Sequence, residues 1–216
     1  MSRALRVGII GALCAGKTTV LRMLGELGAA TVSADEVNRE LLKPGRPLLQ
    51  AVIAAFGPEY VRPDGTLDRR KLAELVFSDD QAREKLEAIV HPPMVSEMKR
   101  RIEEAEKAGA RIVAAEAAVL HRMGAAGLID VLVRVTADRE ERLRRLMRRD
   151  GLSRQEAEKR LRLHDRLGLG DIAADWTIDT TRGEEHTASQ VRRLWRHLQD
   201  LAAARGSRDC GGTADG

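Results

Sequence analysis

The chain has 216 residues, 43% hydrophobic and 32% charged, enough for one sizeable α/β core with inserted segments. Its formal charge of +4 is built from 30 arginines against 7 lysines, with acids interspersed and only five aromatic side chains. That mixture argues against a nucleic-acid binder. No run of about 18 apolar residues marks a membrane span and no signal-peptide pattern opens the chain. The two cysteines, Cys14 and Cys210, exclude a disulfide framework and suit a reducing cytosol.

In chain order, the first expected strand is residues 5–10, Leu-Arg-Val-Gly-Ile-Ile. It runs into Gly11-Ala12-Leu13-Cys14-Ala15-Gly16-Lys17-Thr18 and a helical pattern from Thr19 onward. This is G-x-x-x-x-G-K-[ST] in strand–loop–helix context, a phosphate-binding loop. Gly11 and Gly16 let the backbone wrap so that successive N–H groups point at phosphates. The helix beginning near Lys17 adds the positive end of its dipole. Lys17 is expected on the β and γ phosphates of ATP, and the Thr18 hydroxyl on magnesium, with Thr19 completing the nucleotide-binding stretch. Cys14 reads either as a thiol activated by the helix N-terminus or as a small residue that fits a loop working through its backbone.

Further strands are expected at residues 30–32, 112–115, 131–135 and 176–178, with helices between them, which implies a parallel, doubly wound sheet. Residues 35–110 read as an all-helical insertion punctuated by Pro44-Gly45, Pro63-Asp64-Gly65 and His91-Pro92-Pro93, the last expected to end a helix. Residues 148–172 form a second, shorter insertion in which Ser153-Arg154-Gln155-Glu156 is a capping box. The core then comprises residues 1–34, 111–147 and 173–204, and residues 205–216 read as a disordered tail.

A phosphoryl-transfer enzyme also needs a group that orients or deprotonates the attacking hydroxyl. Asp35 follows the second strand, where the carboxyl ends of parallel strands face a ligand crevice. It also reads as the cap of a helix starting at Glu36. Glu116 closes the third strand as a Walker-B-like acid, or is a solvated strand-end charge. Eleven arginines crowd residues 134–166. Arg142, Arg145 and Arg149 share one helical stripe, and Glu140 to Arg144 is an i,i+4 pair, so most read as a solvated face. Arg149 and Arg160, where the second insertion begins and continues, are the choices for phosphate contact.

With these pieces in view, residues 5–198 resemble the dephospho-coenzyme A kinase family. The resemblance rests on the phosphate loop, Ala34-Asp35 with Arg39, Lys43-Pro44-Gly45, Phe56-Gly57, Asp64-Gly65-Thr66-Leu67-Asp68-Arg69, and the run from Val76-Phe77-Ser78 to Val90-His91-Pro92. It continues in Arg145-Leu146-Met147, Arg149-Asp150-Gly151-Leu152-Ser153 and Ala174-Asp175. It implies a P-loop kinase fold with a five-stranded parallel sheet, an acceptor-binding helical subdomain and a lid. It implies transfer of a phosphoryl group from ATP, with Mg2+, to the ribose 3′-hydroxyl of dephospho-coenzyme A. The roles it implies are Asp35 as base, Arg39 and His91 near the acceptor and Arg149 on phosphates, with Glu116 grouped on the acceptor side. The chain departs from the family pattern at Ala12, Cys14, Arg122, His164 (usually Gln), Gly170 and Thr180. Arg122 and His164 favour the alternative of a diverged kinase for another nucleotide-like or sugar-like alcohol; a nucleotide-binding module with little catalysis that acts through a partner is a third reading.

Overall fold

The structure, a computed structural model, describes residues 3–116, 126–166 and 173–210. The chain divides into two compact units, Met1–Ser33 with Ile102–Gly216, and Ala34–Arg101.

The first unit is built on a five-stranded sheet in the order β2-β3-β1-β4-β5, with every neighbouring pair parallel. β1 (Leu5–Gly11) is central and buried along its whole length. A strand covered on both faces must be apolar at odd and even positions alike, and Leu5, Val7, Ile9 and Ile10 meet that demand, while the one charged member, Arg6, is paired with Glu106 at 2.8 Å. β2 (Ala30–Ser33) and β3 (Ile112–Glu116) lie on one side, β4 (Val131–Thr136) and β5 (Trp176–Asp179) on the other. α1 (Lys17–Glu26) and α8 (Glu184–Cys210) bury Val20, Leu24, Val191, Leu194 and Leu198 in one cluster with Val7, Ile9, Ala114, Val133 and Ile178 of the sheet. α6 (Arg139–Asp150) and α7 (Arg154–Asp165) close a second cluster through Leu143, Leu146, Ala157 and Leu161. Leu13 and Cys14 of the phosphate loop pack against it, so side chains of the loop are seated on the arginine-rich helices.

The strand expectations hold to within one residue at each end, and the capping box at Ser153 and Glu156 is formed. α8 runs to Cys210, so the helix extends six residues into the stretch expected as a tail; Ala202, Ala203, Ala204 and Arg205 are strong helix formers that continue a helix already anchored by its core face. Residues 211–216 lie outside the described part.

The second unit contains α2 (Ala34–Leu41), α3 (Pro47–Phe56), α4 (Arg69–Ser78) and most of α5 (Asp80–Lys107). Asp68 caps α4 by accepting from the Lys71 N–H at 3.1 Å. Pro92 and Pro93 do not end a helix: α5 continues through both. Each interior proline removes a hydrogen bond and crowds the preceding turn, at a cost of about 3 kcal/mol. Val90, Met94, Met98 and Ile102, spaced four apart, form a buried stripe across the interruption, which keeps both halves in one helix. His91 is therefore a mid-helix residue, half-buried.

Candidate active site

The carboxyl ends of β1, β2 and β3 bring together the groups that the sequence scatters. Parallel pairing sets Ile9 and Ser33 opposite Glu116. Glu116 is 4% exposed, which removes the solvated strand-end reading. The Thr18 hydroxyl donates to its Oε1 at 3.2 Å and the Ser33 hydroxyl to its Oε2 at 3.5 Å. A hydroxyl and a carboxylate meeting beside a phosphate loop are hard oxygen donors, a set that suits a magnesium ion keeping most of its waters.

The loop's glycines answer specific needs. A Cβ on Gly11 would overlap the Val135 carbonyl oxygen of the adjacent strand. Gly16 has φ +95°, left-handed backbone that disfavours any side chain, and a Cβ there would press on Thr180 Oγ1 at 3.1 Å. Cys14 also adopts positive φ, at 60°, without being glycine. Its thiol does not have the lowered pKa of an activated nucleophile. Burial pushes it up, and the charges of Arg149, Lys17 and Arg142 only partly oppose this. Cys14 serves by fitting. Lys17 Nζ donates to the carbonyls of Gly11 and Ala12, both at 3.1 Å, which folds the ammonium over the loop.

Two arginines expected on a solvated face instead hold the loop's outer side. Arg142 Nε donates to the Leu13 carbonyl at 2.9 Å, while its other arm binds Asp165 of α7 at 2.6 Å. Arg145 donates to the Thr180 carbonyl at 2.7 Å, to Thr180 Oγ1 at 2.8 Å and to the Cys14 carbonyl at 3.3 Å. Thr180, 3% exposed, donates in turn to the Ala15 carbonyl at 2.8 Å. Carbonyls of the loop are thereby occupied from outside, which leaves its N–H groups for phosphate. The helical stripe of residues 142, 145 and 149 carried the signal, but only the docking of α6 on the loop distinguishes a clamp from a solvated face. The Glu140–Arg144 pair does not form: Arg144 binds Glu141 at 2.9 Å, and Glu140 binds Arg154 at 2.8 Å.

Arg149 and Arg160 converge on Asp150, at 2.7 and 3.0 Å. These guanidiniums hold the Asp150 carboxyl below the usual carboxylate range. His164 of α7 lines a cavity of about 300 Å³ with Gly11, Ala12, Ala15, Thr136 and Arg142. Burial, then the charge of Lys17, pushes its imidazole down to about 4. Arg122 and Gly170 lie outside the described residues.

In the second unit, Asp35 sits inside the first turn of α2, which begins at Ala34, so it is not the N-cap. Arg39 is one turn further on. Arg69, at the start of α4, is exposed, and its guanidinium pKa is lowered by partial desolvation and by the charge of Arg39, against an opposing pull from Asp35. Asp35, Arg39 and Arg69 are thus electrostatic neighbours. In the sequence Arg69 stands only as part of a motif, with no sign of its partner charges.

The profile of the dephospho-CoA kinase family matches residues 5–180. The chain is 42% identical over 194 residues to a dephospho-CoA kinase of Moorella thermoacetica, covering 89% of this chain and 92% of that protein. It is 40% identical over 190 residues to one of Geobacter metallireducens, covering 88% and 94%. Among solved structures, TT1252 from Thermus thermophilus superposes with a TM-score of 0.70 at 31% identity, over 92% of this chain and 98% of that one. A dephospho-CoA kinase from Campylobacter jejuni, at 21% identity and a TM-score of 0.63 over 92% and 98%, shares the fold. With its central parallel sheet, its phosphate loop and these relatives, the chain is a P-loop kinase and belongs to the dephospho-CoA kinase family.

Proposed function

We propose that this protein transfers the γ-phosphoryl group of ATP to the ribose 3′-hydroxyl of dephospho-coenzyme A, giving coenzyme A and ADP. The observation that carries the reading is the Thr18–Glu116 pairing at the end of a complete phosphate loop, in a chain of this family. The backbone N–H groups of residues 11–18 and the N-terminus of α1 bind the phosphates. Lys17 leaves its loop carbonyls for the β and γ oxygens. Magnesium, when bound, offsets charge on the β and γ phosphate oxygens. Thr18 and Glu116 are the residues that would hold it.

Asp35 accepts the proton of the attacking hydroxyl. Its place inside a helix turn rather than at the cap leaves the carboxylate without a capping duty. Arg39 and His91 are assigned to the acceptor, and the Ala34–Arg101 unit to acceptor binding. α7 and its flanks act as a lid, with Arg149 and Arg160 exchanging Asp150 for phosphate oxygens as charge spreads in the transition state. The substrates are small molecules, and a two-cysteine chain suits the cytoplasm.

A coupled assay of ADP release tests this reading. Addition of dephospho-coenzyme A to enzyme, ATP and magnesium should raise the rate far above the ATPase background. Stimulation by adenosine or a simple sugar but not by dephospho-coenzyme A would reject it.

A further inference from the structure

His164 is the feature of the site that the proposed mechanism does not use. It stands on α7 in the wall of the cavity that Gly11, Ala12 and Ala15 of the phosphate loop help to form. Its Nδ1 is buried and, among the described residues, finds no hydrogen-bond partner. A buried ring nitrogen without a partner is a cost that folding alone does not explain. At the rim of a ligand cavity the cost is removed if the ligand supplies the partner.

The charged groups around the ring are predominantly positive. Lys17 at the start of α1 and Arg142 and Arg149 on α6 all disfavour an imidazolium, while Asp165, the next residue on α7, favours it. Asp165 is itself engaged by Arg142 at 2.6 Å. Arg134 of β4 lines the same cavity. The ring is therefore neutral in the free protein because it is buried among cations. A polyphosphate drawn onto Lys17 reverses that field: it neutralises the ammonium and places anionic oxygens in the same space. Both changes favour the protonated ring, which can then donate from both nitrogens.

We propose that His164 is a phosphate-contacting lid residue that takes up a proton from solvent as nucleotide fills the loop, so that ATP binding and protonation of this side chain are linked. The proposal rests on the ATP-dependent reading above and deepens it. The reaction is a simple protonation: neutral imidazole plus a solvent proton gives imidazolium, with its N–H groups available to phosphate oxygens. The consequence is a nucleotide affinity that tightens as pH falls below about 7, by more than the titration of ATP itself produces.

The test is calorimetric titration of ATP with magnesium into the intact protein at pH 6, in two buffers of different ionisation enthalpy. The difference in heat counts protons taken up per ATP bound. ATP contributes its own protonation change, so the parent protein is compared with His164→Gln, whose amide can still donate to phosphate but cannot titrate. The parent should take up more protons than the His164→Gln protein, by about half a proton or more per ATP. Equal proton counts in two proteins that both bind ATP would overturn the assignment and leave the kinase reading intact. Failure of the parent protein to bind ATP would overturn the kinase reading, and the assignment with it. A second measurement needs no substitution. Among the histidine Cε1–H proton resonances of the native protein, one should titrate near pH 4 without ligand and move up by about two pH units with ATP. The same titration curve with and without bound ATP would overturn the assignment even if the His164→Gln protein did not fold.

Discussion

The Thr18 hydroxyl donates to Oε1 of Glu116 at 3.2 Å, joining the last residue of the phosphate loop to the last residue of β3 across 98 positions of sequence. This contact ties the loop to the neighbouring strand and sets two oxygen donors, a hydroxyl and a carboxylate, side by side. Glu116→Gln keeps shape and an acceptor for Thr18 while removing the charge. The expected result is a kcat lower by about tenfold to a hundredfold, because charge near the transferring group is lost where it counts most. The magnesium concentration for half-maximal rate should rise, and thermal stability without ligand should change little. Unchanged magnesium dependence in steady-state kinetics would show that Glu116 acts on the fold rather than on the metal.

The arginine clamp makes a different prediction. Arg145 spends its guanidinium on the Thr180 side chain and carbonyl and on the Cys14 carbonyl. Arg145→Met retains much of the aliphatic stem and removes the donors. It should destabilise the protein by about 1–3 kcal/mol, the cost of leaving partly buried acceptors unmatched. ATP should bind at least several-fold more weakly, because the loop carbonyls are no longer fixed. Chemical denaturation together with ATP titration checks both arms. A change within about 0.5 kcal/mol and a normal affinity would return Arg145 to an ordinary surface charge.

The phosphate loop was legible because its chemistry is local: glycines at fixed spacing, a lysine and a hydroxyl, between a strand and a helix. Five strands were legible for a related reason, since a sheet covered by helices leaves short, mostly apolar runs between helical patterns. What escaped was non-local or a matter of balance. Arg142 and Arg145 look like any helical stripe until α6 docks against Leu13 and Cys14. Pro92-Pro93 reads as a helix end, and only the buried stripe from Val90 to Ile102 shows why α5 survives it. Asp35 could be read as a cap because the start of α2 was set two residues late.

That shift sharpens the test of Asp35. Within a helix's first turn its charge interacts with the macrodipole, a contribution of about 0.3–1 kcal/mol. Asp35→Asn removes the charge and keeps the shape. If Asp35 accepts the hydroxyl proton, kcat should fall by about a hundredfold or more while ATP affinity stays within a few-fold. Single-turnover transfer at saturating ATP, with melting curves alongside, reads both quantities. Turnover within about threefold of the parent would assign Asp35 to the helix dipole and to Arg69, and turn attention to Glu116 as the group acting on the acceptor hydroxyl.

The buried imidazole also predicts how the ligand-free protein responds to acid. His164 has its folded pKa at about 4, below the ordinary value of 6.5. Between these values the unfolded chain binds more protons than the folded one, so acid favours unfolding. The stability contributed by the neutral ring is complete above pH 6.5 and is lost as pH falls toward 4. Melting temperature should decline through this window, and His164→Gln should flatten that part of the curve. Parallel curves for the two proteins would mean that the ring is more open to water than the structure describes.

The central claim is tested most directly by identifying the product. Purified protein, ATP, magnesium and dephospho-coenzyme A are incubated together, and the acceptor is recovered and analysed by mass spectrometry and phosphorus NMR. The account predicts one added phosphoryl group per acceptor, on the ribose 3′-oxygen, with ADP formed in equal amount. ADP formation with unmodified acceptor, or a phosphoryl group on any other oxygen, would contradict it.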